Sequence, residues 1–228
     1  MCGRFTLTTP GEIVAEAFGL EETPSLAPRY NVAPTQSIAT VRTLGPAREL
    51  AMLRWGLVPV WSHEPRGRTL LINARADSIG TRPSFREAFE RRRCLIPADG
   101  FFEWKGVAGE KRKEPYLIRM ADGGPFAFAG IWEPPHPGDP GSAGSCAIVT
   151  TEPSALLRRI HDRMPVILPP GDYASWLETA PRDAARLKEL LVPSAAAMTA
   201  VRVGLAVNRA ANDSPDCLRP EGPAEDSL

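Results

Sequence analysis

The sequence contains little lysine, little histidine and no excess charge of either sign. Lysine and arginine together number 27, aspartate and glutamate also number 27, and the formal net charge is zero. A protein that coats nucleic acid along its length is usually basic, so any nucleic-acid contact must come from a local surface. Lysine occurs at only four of the 228 positions, so arginine supplies nearly all the positive charge and suits bidentate phosphate contacts.

Long apolar runs and paired cysteines are also missing. The first ten residues, MCGRFTLTTP, lack the apolar stretch of a secretory signal, and no run of about 18 apolar residues predicts a membrane span. The four cysteines, Cys2, Cys94, Cys146 and Cys217, include no CxxC pair of the kind that holds zinc. We therefore expect reduced thiols in a cytoplasmic protein with no membrane partner, no metal and no organic cofactor.

The pattern of short elements predicts an α+β fold. Strand-like and helix-like runs do not alternate regularly, which disfavours a parallel βαβ sheet and favours an antiparallel or mixed sheet. One domain is expected over residues 1–217, and the acidic, small-residue stretch 218–228 is expected to be a disordered tail. Strands are predicted at residues 37–43, 49–55, 116–120, 126–132, 145–151, 164–168 and 198–204, and helices after Thr9-Pro10 and at 84–92, 154–160, 172–179 and 182–191.

The N-terminus offers a distinctive chemical group. A small residue after Met1 generally permits removal of the initiator, which leaves Cys2 with a free α-amine beside its thiol. The reference pKa values are about 7.7–8.0 for the amine and about 8.5 for the thiol, so both are nucleophilic near neutral pH. An aminothiol condenses with an aldehyde to a Schiff base, and the thiol then closes a thiazolidine ring. On its own, however, a cysteine after Met1 is usually incidental.

Six polar strings accompany Cys2 in a fixed order: MCGRF, RYNVAPTQ, RWGLVP, INAR, PADGFFEW and IHDRMP. With these strings the chain resembles the SOS-response-associated peptidase (SRAP) family, the abasic-site processing proteins, over nearly its whole length. The resemblance implies a single domain of antiparallel or mixed β-sheets that form a barrel-like core with flanking helices. It also implies a monomer whose partner is single-stranded DNA containing abasic sites, with nucleoid association when DNA is damaged.

The family chemistry that the resemblance implies is covalent. The mature Cys2 captures the ring-opened aldehyde of an abasic site, which gives a thiazolidine DNA–protein crosslink after the protein has removed its own Met1. The enzyme class expected is a self-processing cysteine peptidase with abasic-site crosslinking or lyase-type activity.

Four residues match the catalytic positions of the family. Cys2 is the nucleophile, and the amide of Asn73 can hold both the Cys2 amine and a sugar oxygen. Glu103 follows two aromatic residues, and an apolar neighbourhood raises a carboxyl pKa. A carboxyl with a raised pKa suits proton transfer. His161 titrates near neutrality and is expected to open the closed sugar. His63 and His136 lie in proline-rich contexts and are assigned no role; they are the remaining histidines.

The resemblance also implies a DNA-binding surface. Arg4 and Arg75 flank the reactive positions and are the expected phosphate ligands. Trp61 is a candidate for base stacking, worth about 1–3 kcal/mol per base, whereas Trp55 is expected in the core. Further DNA contacts are expected at Pro34, Arg82, Arg86 and Thr150.

Two other functions stay open at this stage. Cys2, His161 and Glu103 could form the triad of a cysteine peptidase or amidohydrolase, which would turn over added peptides. Alternatively, the arginines and Trp61 could form a non-covalent module for single-stranded DNA, which would be indifferent to Cys2→Ala.

Overall fold

A computed structural model describes residues 2–45, 47–62, 71–107, 109–110, 112–138, 143–178 and 184–226. His63, to which no role was assigned, lies outside these ranges. The five helices described are α1 (Gly11–Phe18), α2 (Arg86–Arg91), α3 (Ala155–Arg158), α4 (Tyr173–Leu177) and α5 (Ala184–Glu189). The strands described are β1 (Phe5–Leu7), β2 (Arg29–Val32), β3 (Ser37–Leu44), β4 (Ala47–Trp55), β5 (Asn73–Arg75), β6 (Arg93–Ala98), β7 (Gly100–Gly106), β8 (Lys113–Met120), β9 (Phe126–Glu133), β10 (Ser145–Thr151), β11 (Met164–Pro165), β12 (Ile167–Leu168), β13 (Met198–Val203) and β14 (Pro220–Asp226).

The strands form two sheets. The first has the order β14-β13-β8-β7-β1-β2, and its pairs are antiparallel. The second runs β11-β10-β4-β3-β6-β9-β12, with β5 on β10, and an added β9–β10 pairing closes five of its strands into a ring. Strand β10 runs parallel to β4 and β5, so this sheet is mixed. The α+β prediction, with few helices around mixed and antiparallel sheets, is confirmed.

Aromatic packing joins the first sheet, through β1, to the second sheet, through β4 and β9. The ring of Phe5 lies 5.3 Å from that of Trp55 and 5.8 Å from that of Phe128, measured between centroids. Trp55 is fully buried, as the sequence predicts, and so are Cys94 and Cys146. Each such side chain contributes roughly 1.5–3 kcal/mol through burial, so this cluster firmly anchors the first strand of the chain.

Helix α1 shows how local sequence sets an element boundary. The helix begins after Pro10 and ends at Gly19, whose φ of 65° lies in the left-handed region that glycine adopts without strain. The Gly19 amide caps the carbonyls of Ala15 and Glu16. The helix predicted after Thr9-Pro10 is confirmed. No helix within the described ranges is long and apolar enough to span a membrane.

The C-terminal stretch differs from its prediction. Residues 218–228 are expected to be disordered, but Pro220–Asp226 form β14, which pairs with β13 from Val203↔Pro220 to Thr199↔Asp226. A strand ladder is made of backbone hydrogen bonds, so a stretch with few apolar side chains can still add to a sheet edge. The added strand covers the edge that β13 would otherwise expose.

Strand pairing places the N-terminus beside β7. Phe5 lies opposite Phe101, and the Phe102 amide donates to the Arg4 carbonyl at 3.0 Å. Because the two strands run antiparallel, the residues before Phe5 extend along the residues after Phe101. Cys2 is thereby directed towards Glu103.

Candidate active site and nucleic-acid interface

Cys2 is fully buried at the start of the chain. Its side chain belongs to the apolar cluster that contains Phe5 and Trp55, and its thiol donates to the Arg4 carbonyl over 3.9 Å. Burial raises the pKa of the Cys2 thiol well above its ordinary value, and the negative charge of Glu103 raises it further. The thiol is therefore protonated at rest and requires a base to react.

Asn73 holds the residue that carries this thiol. It opens β5, which is kept in place by its parallel pairing with β10, where Asn73 lies opposite Ile148. The Asn73 Nδ2 donates to the Cys2 carbonyl at 2.8 Å. Its Oδ1 is buried and has no hydrogen-bond partner in the described part of the chain. A buried acceptor of this kind, next to Cys2, is available for a donor on an incoming group.

Glu103 lies on β7 with only 2% of its surface exposed. It follows the fully buried Phe101 and Phe102. Burial raises the pKa of the Glu103 carboxyl from 4.5 to about 7. A carboxyl with this pKa exchanges protons readily at neutral pH, as general acid–base chemistry requires.

His161 follows α3 and faces Glu103. Its Nε2 lies 3.9 Å from Glu103 Oε2, which is too long for a hydrogen bond. Its Nδ1 lies 3.1 Å from the Arg163 amide nitrogen and 2.8 Å from Asp162 Oδ1. One protonation state cannot satisfy both Nδ1 contacts, because the amide requires a bare nitrogen and the carboxylate requires a proton.

The backbone contact is the better guide to the His161 tautomer. The Arg163 amide is fixed by the chain, whereas the Asp162 side chain is 87% exposed and free to rotate. A bare Nδ1 places the proton of the neutral ring on Nε2, the atom that faces Glu103. Burial lowers the pKa of His161 below its ordinary value of 6.5, so this neutral form is favoured at neutral pH.

The four predicted catalytic residues therefore meet at one place. Asn73 contacts the Cys2 backbone, the Glu103 charge acts on the Cys2 thiol, and His161 faces Glu103. The site combines a buried thiol, a buried amide oxygen without a partner among the described residues, a carboxyl whose pKa is raised to about 7 and an imidazole whose pKa is lowered by burial. No cluster of three metal-binding side chains occurs among the residues that the structure describes.

A basic surface lies beside this site. Arg75 is exposed, and its Nη2 lies 2.7 Å from Asp77 Oδ2. Arg163, two residues after His161, donates from Nη2 to the Thr150 carbonyl at 2.6 Å, and its Nη1 lies 3.7 Å from the same Asp77 oxygen. Arg163 was not among the predicted DNA contacts, although it stands in the IHDRMP string.

Thr150 is placed differently from its prediction. It is fully buried in β10 between β5 and β11, and its hydroxyl accepts from Arg163 at 3.3 Å. The predicted contact between the Thr150 side chain and DNA is therefore wrong, because the side chain is not accessible. Thr150 instead supports the guanidinium of Arg163.

Arg4 is also more engaged than its prediction as a phosphate ligand suggests. Its Nη1 donates to the Val207 carbonyl at 2.6 Å and to Asn31 Oδ1 at 3.1 Å. Asn31 is itself buried and donates from Nδ2 to the Asn212 carbonyl at 2.7 Å. Arg4 thus fastens the N-terminal arm to the turn near Val207, and burial lowers its pKa.

The other predicted DNA contacts lie at the surface. Trp61 is 56% exposed on the turn after β4, and Pro34 is partly exposed. Thr35, next to Pro34, has a φ of 75°, which is rare for a β-branched residue, and its amide donates to the Trp55 carbonyl at 2.8 Å. The remaining two, Arg82 and Arg86, are exposed near the start of α2.

A family model described as SOS response associated peptidase (SRAP) matches residues 1–210. The chain belongs to the SRAP family. This SRAP chain is 39% identical to the Bacillus subtilis "Abasic site processing protein YoqW" over 96% of the chain and 99% of that protein. It is 34% identical to the Escherichia coli "Abasic site processing protein YedK" over 78% of the chain and 79% of that protein.

Solved structures agree with this membership. The SRAP chain superposes on a crystal structure of a Bacteroides thetaiotaomicron protein with a TM-score of 0.84 and 26% identity, covering 96% of this chain and 99% of that one. The family resemblance read from the six motif strings is therefore confirmed.

Proposed function

We propose that this SRAP protein processes abasic sites in single-stranded DNA by a covalent crosslink through Cys2. The observation that carries the proposal is the hydrogen bond from Asn73 to the Cys2 carbonyl, because it fixes the N-terminal residue beside Glu103 and His161. The printed names of the relatives, abasic site processing proteins, support the substrate class.

The first proposed reaction is removal of Met1. The Cys2 thiol gives its proton to Glu103 and adds to the Met1 carbonyl carbon. The peptide C–N bond then breaks as the Cys2 nitrogen takes a proton, which leaves a thioester and a free amine. Water hydrolyses the thioester, so the products are free methionine and a Cys2 that carries both amine and thiol. The Glu103 pKa of about 7 suits both proton transfers.

The second proposed reaction captures the lesion. His161 moves a proton as the closed sugar opens to its aldehyde. The Cys2 amine adds to the aldehyde carbon and water leaves, which gives a Schiff base. The thiol then adds to the same carbon and closes the thiazolidine. One water is released overall, and Glu103 accepts and returns protons along the way. β-Elimination from the Schiff base would instead cut the strand, which is the lyase-type branch of the proposal.

Basic and aromatic side chains supply the proposed DNA contacts. Arg75 and Arg163 lie beside the catalytic residues and supply phosphate contacts, and the exposed Trp61 stacks on a base. The chain has no net charge, so affinity for undamaged strands is expected to be modest and salt-sensitive. The complex with damaged DNA is held permanently by the proposed covalent bond.

A denaturing gel tests the proposal. The purified protein is incubated with a single-stranded oligonucleotide that carries one abasic site, and a slower band stable to heat and SDS is expected. Cys2→Ala abolishes the band, whereas Cys217→Ala, at a buried cysteine in a separate apolar cluster, keeps it. An oligonucleotide with a tetrahydrofuran in place of the aldehydic sugar gives no band. Intact mass is expected to show loss of Met1. A full-strength band from Cys2→Ala would falsify the crosslink.

The peptidase alternative rests on the same cluster. A peptide-hydrolysing site uses residue types such as those of Cys2, Glu103 and His161, so the competing function is turnover of added peptides. A peptide library assayed with the protein separates the two. Catalytic cleavage of peptides without any abasic-DNA adduct would favour the peptidase. A third alternative, non-covalent binding of single-stranded DNA, predicts that salt dissociates every complex.

A further inference from the structure

A buried histidine lies under the loop that carries Trp61. His136, in the segment after β9, is only 8% exposed. Its Nδ1 accepts from the Gly138 amide at 3.0 Å, and its Nε2 lies 2.7 Å from the Ser62 carbonyl oxygen. Because Nδ1 accepts a hydrogen bond, the neutral ring carries its proton on Nε2 and donates it to Ser62.

This contact joins two loops that are distant in sequence. The Trp61 loop is also held by the Ser62 amide, which donates to the Pro59 carbonyl at 2.9 Å, and by the Val58 amide, which donates to Ser145 Oγ at 2.9 Å. The bond from His136 attaches the residue directly after Trp61 to the body of the protein. The indole remains exposed while the backbone beneath it is fixed.

We propose that His136 is a positioning residue that holds Trp61 ready to stack on a base of single-stranded DNA. The inference rests on the DNA contact proposed above for Trp61. A loop fixed before binding loses less conformational entropy when a base arrives, so the contact yields more affinity. From the sequence, His136 was assigned no role because it stands in a proline-rich loop.

The competing explanation is that His136 stabilises only its own turn, and two substitutions separate the explanations. In His136→Asn, the short side chain can still accept from the amide two residues ahead, as Asn commonly does in turns, but it is too short to reach Ser62. In His136→Gln, the longer amide can donate to the Ser62 carbonyl. His136→Asn therefore removes the link to the Trp61 loop and preserves the local turn.

The readout is the affinity of the full-length protein for an undamaged, fluorescently labelled single-stranded oligonucleotide, measured by anisotropy. This measurement does not depend on crosslinking. His136→Asn is expected to weaken binding about 2- to 10-fold, the range that one hydrogen bond supplies, while His136→Gln stays closer to the parent. In a Trp61→Ala background, His136→Asn is expected to change nothing further. Thermal unfolding of each variant checks the fold.

Three outcomes overturn the inference. The first is an equal loss of affinity from His136→Asn with and without Trp61. The second is parent-like affinity of His136→Asn when Trp61→Ala binds weakly. The third is a Trp61→Ala variant that binds like the parent, which removes the stacking contact itself. The gel assay with abasic DNA is read separately, so the crosslink through Cys2 stands or fails independently of these results.

Discussion

Replacing Glu103 with Gln is expected to stabilise the protein at high pH while disabling it. The folded-state pKa of Glu103 is about 7, raised by burial from 4.5. Between these two values the folded protein binds more protons than the unfolded chain. Stability therefore falls as pH rises from about 4.5 to about 7 and stays low above that range.

The size of the effect follows from the shift. Moving the pKa from 4.5 to about 7 corresponds to roughly 3 kcal/mol of lost stability once the carboxylate is ionised. Glu103→Gln keeps the size of the side chain and removes the charge. The free energy of unfolding at pH 8 is expected to rise by up to roughly 3 kcal/mol, and the gain is expected to vanish near pH 4. Urea unfolding at both pH values measures it.

The functional side of the same variant is a loss of proton transfer. The crosslinking rate with abasic oligonucleotide is expected to fall on the order of 10²-fold or more. Glu22→Gln, an exposed glutamate in a loop, is the matched control and is expected to alter neither stability nor rate. If Glu103→Gln were less stable than the parent at pH 8, or gained equally at pH 4 and pH 8, the reasoning from burial would be refuted.

Three further changes have definite expected results. Asn73→Ala removes the hydrogen bond to the Cys2 carbonyl, so crosslinking is expected to slow about 10²-fold. Intact mass is expected to show retained Met1, and parent-like processing would contradict this. Asp77→Asn releases Arg75, so binding of single-stranded DNA is expected to strengthen about 2- to 5-fold at low salt and to match the parent at high salt, by anisotropy. Burial raises the pKa of Asp99, but hydrogen bonds from three threonines outweigh burial and lower the pKa overall. Asp99→Asn is therefore expected to destabilise the protein at pH 7, and the loss is expected to shrink as the pH falls through the lowered pKa. Thermal unfolding across pH checks the last, and an equal loss at every pH would count against it.

The sequence predicted most of the elements whose signal is local. Helix α1 with its glycine stop and strand β10 (Ser145–Thr151) follow from capping residues and β-branched runs. Strands β1, β2, β5 and β7 were missed because they are short or carry glycine, and their stability comes from partners distant in sequence. Strand β14 was missed because its ladder depends on the backbone and on the position of β13.

The candidate site shows the same division. The four candidate catalytic residues were selected because each stands in a distinctive motif, and the structure places them close to one another. The placement of Arg4 and Thr150 could not be predicted from the sequence, because tertiary packing brings them to their partners Val207 and Arg163. His136 was passed over for the same reason, since its contact with Ser62 joins segments 74 residues apart.

The bond from Asn73 has a consequence for the order of events at the N-terminus. Asn73 donates to the Cys2 carbonyl, which lies on the side of that residue away from Met1. In the proposed maturation the scissile bond lies on the other side, so the tether survives the cut. The new chain end is then already seated when its amine appears. In this proposal one preset geometry serves two successive reactions, and no rearrangement is required between the formation of the nucleophile and its use.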